Sequence, residues 1–74
     1  MKKSRFIEYI LGQERYMYSY HPRLKVHHSL NVRIPNGWID VTGLEKIKNF
    51  IRERHPDGTA KMILIGLGLD EMEE

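Results

Sequence analysis

The 74-residue chain has no cysteine, which excludes a disulfide framework and thiolate metal sites and fits a reducing compartment. Long apolar runs are missing as well. The longest, Met62 to Leu69, falls far short of the roughly 20 residues that span a bilayer. The start, with Lys2, Lys3 and Arg5 before Phe6, Ile7 and Glu8, lacks the apolar stretch of a signal peptide. A soluble cytoplasmic protein without a membrane partner is expected. No phosphate loop, nucleophile elbow or paired-carboxylate motif is present, so no catalytic residues are assigned and the chain is read as a non-enzyme. The histidines at 21, 27, 28 and 55 form neither a helical i, i+4 pair nor a pair with cysteine, so no metal is expected. Gly66-Leu67-Gly68 lacks the third glycine and following helix of a dinucleotide fingerprint, and no cofactor is assigned.

Acidic residues are absent from one long stretch. Between Arg15 and Ile39 there is no Asp or Glu, while Arg15, Arg23, Lys25, Arg33 and three histidines occur. Residues 1 to 39 hold seven Lys and Arg against two Glu; residues 40 to 74 hold five against eight Asp and Glu. The overall charge of +2 is therefore unevenly placed, and the first half would attract a polyanion.

What is present is periodicity. From Arg23 to Ile34, Leu24, Val26, His28, Leu30, Val32 and Ile34 alternate with Arg23, Lys25, His27, Ser29, Asn31 and Arg33. This predicts a strand with a core side and a wet side, bending or breaking near His27-His28. His28, on the apolar row, reads as a hydrogen-bonded core or boundary residue. Tyr16, Tyr18 and Tyr20 alternate in a preceding strand that Pro22 ends. With His21-Pro22 at the apex of an unbulged hairpin, Tyr20 would face Arg23, Tyr18 Lys25 and Tyr16 His27, on the wet side. One bulged residue would send the tyrosines into the core and expose Arg15, Met17 and Ser19 instead.

Pro35-Asn36-Gly37 marks a turn, after which Trp38 to Val41 returns with Ile39 and Val41 on the Val32 and Ile34 side. Thr42-Gly43-Leu44-Glu45 fits a capping box ahead of a helix whose buried arc is Leu44, Ile47, Phe50 and Ile51, with Lys48 on the polar side. Residues 4 to 13 favour a short amphipathic helix through Phe6, Ile7, Ile10 and Leu11, with a strand as the rival. Ala60 to Leu69 reads as a last strand, and 70 to 74 as a frayed acidic tail.

One α+β domain spanning 1 to 74 follows, in the order α-β-β-β-α-β. Its four-stranded, mostly antiparallel sheet carries both helices on one face and has the strand order three-two-one-four. The open face leads to two functional expectations. The first is a binding module that engages nucleic acid, single-stranded by preference, or an acidic protein surface, through Tyr16, Tyr18, Tyr20, Arg23, Lys25, His27 and Arg33. The second is a small regulatory or inhibitory protein acting by protein contact, through the sheet face, a strand edge, or a homodimer built on Met62, Leu64, Gly66 and Gly68.

Overall fold

Alternation of apolar and polar side chains builds four consecutive strands. In the computed structural model, which describes residues 4–72, they are β1 (Arg5–Leu11), β2 (Glu14–Tyr20), β3 (His28–Ile34) and β4 (Gly37–Thr42). They pair as an antiparallel meander in the order β1-β2-β3-β4. Two helices follow, α1 (Leu44–Arg54) and α2 (Asp57–Gly66). The class is α+β with a four-stranded sheet, and the element order is β-β-β-β-α-α. Among the described residues there is no crossover, so the order three-two-one-four is not formed.

Two elements differ from the sequence expectation, each for a physical reason. Residues 5 to 11 form a strand because Ile7, Tyr9 and Leu11 lie opposite Tyr18, Tyr16 and Glu14 of β2, and Gly12, at φ 61°, supplies the left-handed residue that closes the turn. The helix-like spacing of Phe6, Ile7, Ile10 and Leu11 is incidental. Residues 57 to 66 form a helix because Ala60, Ile63, Leu64 and Leu67 are buried at helical spacing while Lys61, Met62 and Ile65 stay exposed. A glycine stop ends it. Gly68, at φ 74°, donates to Ile65 O at 3.0 Å and Leu69 to Leu64 O at 2.8 Å, the paired bonds of a Schellman motif, with Leu64 and Leu69 both buried beside it.

This overturns the surface expected for a homodimer. Met62 is exposed and Leu64 buried on α2, Gly66 lies against the Tyr9 ring, and Gly68 sits beyond the helix end. They share no flat face. At the start of α1 the N-cap is Gly43, without a side-chain cap; its N–H donates to His28 O at 2.9 Å. Thr42 remains in β4 opposite Ser29, so the expected capping box does not form.

The inner face of the sheet presents Ile7, Tyr9 and Leu11, then Tyr16, Tyr18 and Tyr20, then His28, Leu30, Val32 and Ile34, then Ile39 and Val41. Leu44, Ile47 and Ile51 of α1 and Ala60, Ile63 and Leu64 of α2 complete the core, with Leu67 and Leu69. The turn before β4 follows the hydrophobic pattern: Pro35-Asn36 spans two residues, placing Ile39 opposite Val32 and Val41 opposite Leu30. Residues 70 to 72 of the expected frayed tail are tied down, since the Met72 carbonyl accepts from Lys48 Nζ and Tyr18 OH contacts Met72 Sδ at 3.6 Å. Lys2, Lys3, Glu73 and Glu74 lie outside the described residues.

Candidate interaction surface on the open sheet face

Because directly paired residues share a face, the register fixes what the uncovered side displays. Three cross-strand rows result. The row nearest the β1–β2 turn is Ile10, Arg15, Arg33 and Trp38; the middle one is Glu8, Met17, Asn31 and Asp40; the third is Phe6, Ser19, Ser29 and Thr42. Phe6, Ile10 and Trp38 are 65%, 58% and 62% exposed, so three large apolar side chains stand in water on one face. The charged groups between them have partners, one ion pair and one relay through an asparagine. Arg15 Nε lies 3.4 Å from Glu8 Oε2; Arg33 Nε donates to Asn31 Oδ1 at 3.0 Å, and Asn31 Nδ2 donates to Asp40 Oδ1 at 2.6 Å. The Arg33 guanidinium also lies over the Trp38 ring, 5.6 Å from its centroid.

The seven residues expected to form one basic, tyrosine-rich face are divided among three places. Tyr16 and Tyr18 have no exposed surface and Tyr20 is half-buried, all on the inner face. Arg23, Lys25 and His27 lie in the exposed loop 21–27, closed by His21 N–H to His27 O at 2.7 Å. Only Arg33 stands on the open face. Loop length sets the face that the tyrosines occupy. The connection between β2 and β3 takes seven residues, Tyr20 pairs with His28, and Tyr18 pairs with Leu30, so the aromatic rings join the aliphatic rows and gain burial that an open face would deny them. Leu24 and Val26 are left out of the strand and exposed. Residues missed by sequence reasoning are Phe6, Glu8, Ile10, Trp38 and Asp40; reading 5 to 11 as a strand against β2 would have found the first three.

Buried tyrosine hydroxyls need partners, and histidines supply them. Tyr18 OH lies 2.7 Å from His28 Nδ1, in agreement with a hydrogen-bonded core role for His28. At the other end of β2, Tyr16 OH donates to Glu14 Oε1 at 2.8 Å and contacts His55 Nε2 at 2.5 Å. With the hydroxyl hydrogen committed to Glu14, the ring nitrogen must donate. Arg54 completes the cluster by donating to Glu14 Oε2. Its hydrogen bond, helped by Tyr16, holds the Glu14 carboxyl below its usual range against the opposing effect of burial. Burial, with the Glu14 bond, pushes the Tyr16 hydroxyl up to about 12.

Both shifts make stability pH-dependent. Glu14 is depressed in the folded chain, so its contribution is present above the ordinary carboxylate range and lost as pH falls below it. Tyr16 is raised, so its contribution is present below pH 10 and lost as pH climbs from 10 to 12. Melting temperatures across pH should therefore drop at both ends, with Glu14→Gln flattening the acid limb and Tyr16→Phe the alkaline one. Unchanged limbs in both variants would show that the cluster does not stabilise the fold.

Among the described residues no group of three or more His, Asp or Glu is placed to hold a metal ion, and no helix is long and apolar enough to cross a membrane. No protein-family model matches the chain, and no curated protein or solved structure gives a match either.

Proposed function

We propose that the chain is a non-catalytic binding module that acts by protein–protein contact through its open sheet face. The observation that carries this reading is the exposure of Phe6, Ile10 and Trp38 on one face, around Arg15 paired with Glu8 and Arg33 linked through Asn31 to Asp40. Trp and Arg are the residue types that most often dominate binding energy at protein interfaces, and a face with balanced charge gives a polyanion little net attraction. The polyanion reading keeps one support of its own, the exposed loop carrying Arg23, Lys25 and His27. It loses the stacking platform, since base stacking needs ring faces that Tyr16 and Tyr18 do not expose.

The test compares wild type with Trp38→Ser and with Arg23→Glu/Lys25→Glu as baits in source-cell lysate, with and without nuclease, at low and high salt. Protein contact predicts capture that survives nuclease and salt, is lost with Trp38→Ser, and persists in the loop variant. Capture of nucleic acid that collapses with salt and with the loop variant would overturn this reading in favour of the polyanion.

A further inference from the structure

The open face carries its charges in two adjacent rows of opposite sign. Arg15 and Arg33 are direct cross-strand partners on β2 and β3, a juxtaposition of like charges that is unfavourable by itself. Glu8 and Asp40 belong to the neighbouring row, on the two edge strands. Within one copy, each arginine leans towards that row, Arg15 diagonally onto Glu8 of β1 and Arg33 along β3 onto Asn31, which in turn holds Asp40. A guanidinium offers five donors, more than these contacts use.

We propose that the occupant of this face is a second copy of the chain, stacked sheet on sheet about a two-fold axis that crosses the strands between the two charged rows. The inference rests on the protein-contact reading and adds the partner. Rotation about that axis exchanges the rows. Arg15 of one copy then falls over Met17 of the other, beside Glu8 on the next strand, and Arg33 falls over Asn31, beside Asp40. Every arginine then has a carboxylate of the other copy diagonally across from it, on the neighbouring strand, whereas an axis running along the strands would lay arginine over arginine. A single surface patch is thus complementary to itself, as a two-fold interface requires. Ile10, Met17 and Trp38 lie within the two exchanged rows and lose water on stacking, while Phe6, one row further out, lies at the margin. Facing sheets pack about 10 Å apart, a gap that arginine side chains from both layers can bridge. Two rows across four strands make a small footprint, so the dimer belongs to the weak, micromolar class.

Sedimentation of the full chain tests this with two charge variants. Arg15→Glu/Arg33→Glu makes both rows acidic, and Glu8→Lys/Asp40→Lys makes both rows basic. Wild type should dimerise at micromolar concentration, each variant alone should sediment as a monomer, and an equimolar mixture should restore the dimer, because each row then meets its opposite. Circular dichroism establishes that each variant is folded. Trp38, the one tryptophan in the chain, gives an independent reading without any variant: its emission should shift to the red as wild type is diluted. Variants that still dimerise alone would place the interface elsewhere, and a mixture that stays monomeric would overturn the exchange of rows. A wild type that remains monomeric with concentration-independent emission overturns the second copy. If that monomer still captures a nuclease-resistant protein through Trp38, the protein-contact reading stands; if it captures nothing, both fall.

Discussion

Tyr18→Ala should leave this chain without a cooperative melting transition at room temperature. The Tyr18 side chain has no exposed surface, sits between Ile7 and Leu30 in the sheet, and bonds His28 through its hydroxyl. Truncating a buried aromatic residue to alanine costs about 3–5 kcal/mol, and a domain this small has a total stability of about 4–11 kcal/mol. The hydroxyl can be separated from the ring. Tyr18→Phe keeps the volume but removes the hydroxyl's bond to His28 Nδ1, at a cost of about 1–3 kcal/mol. Tyr20→Ala, at a half-buried position, should cost less than Tyr18→Ala. Far-ultraviolet circular dichroism with thermal melts ranks the three. A Tyr18→Ala protein that melts like wild type would mean that the tyrosines face water and that β2 is shifted by one residue.

Leu44→Asp should be comparably severe. Leu44 opens α1 with no exposed surface, and an unpaired carboxylate there costs several kcal/mol, because the group must either shed its hydration or disrupt the core. The informative companion is Lys48→Asp. A helical projection puts Lys48 on the polar side, where reversal of charge would be almost neutral. In the fold Lys48 is only 6% exposed, and its ammonium donates to the Met72 carbonyl, so an aspartate would set a carboxylate against a carbonyl. A loss of about 1–2 kcal/mol, on the order of 5–15 °C in melting temperature for a domain of this size, is expected. Lys48→Met, which keeps the aliphatic stem, should recover part of it. If Lys48→Asp melts with wild type, the bond to the last turn contributes nothing to stability.

The parts of the fold legible in the sequence are those where local chemistry and hydrophobic pattern agree. Pro35-Asn36-Gly37 and the alternation from His28 to Ile34 give the β3–β4 hairpin with its register, and Leu44, Ile47 and Ile51 give the buried stripe of α1. Legibility fails where a short apolar segment satisfies two periods at once. Phe6, Ile7, Ile10 and Leu11 fit a helix until β2 supplies cross-strand partners, and 60 to 69 alternates like a strand until Pro56 and Asp57 begin a helix that Gly68 ends. The face of β2 was legible only as a choice between two. Period two identifies Tyr16, Tyr18 and Tyr20 as one set; the length of the loop after them decides which way that set points, and nothing in His21 to His27 announces a seven-residue connection.

The meander has a kinetic consequence. Every pair of neighbouring strands is also adjacent in sequence, so the sheet can zip from one hairpin to the next at little loop-closure cost. The closing step is different, because α2 packs on β1, Gly66 lies against Tyr9, and Met72 reaches Tyr18. During synthesis the first strand leaves the ribosome long before the residues that cover it. Ile7, Tyr9 and Tyr18 therefore gain their full cover only when α2 and the residues after it dock, so the apolar face of the first hairpin is the last part of the core to be sealed from water.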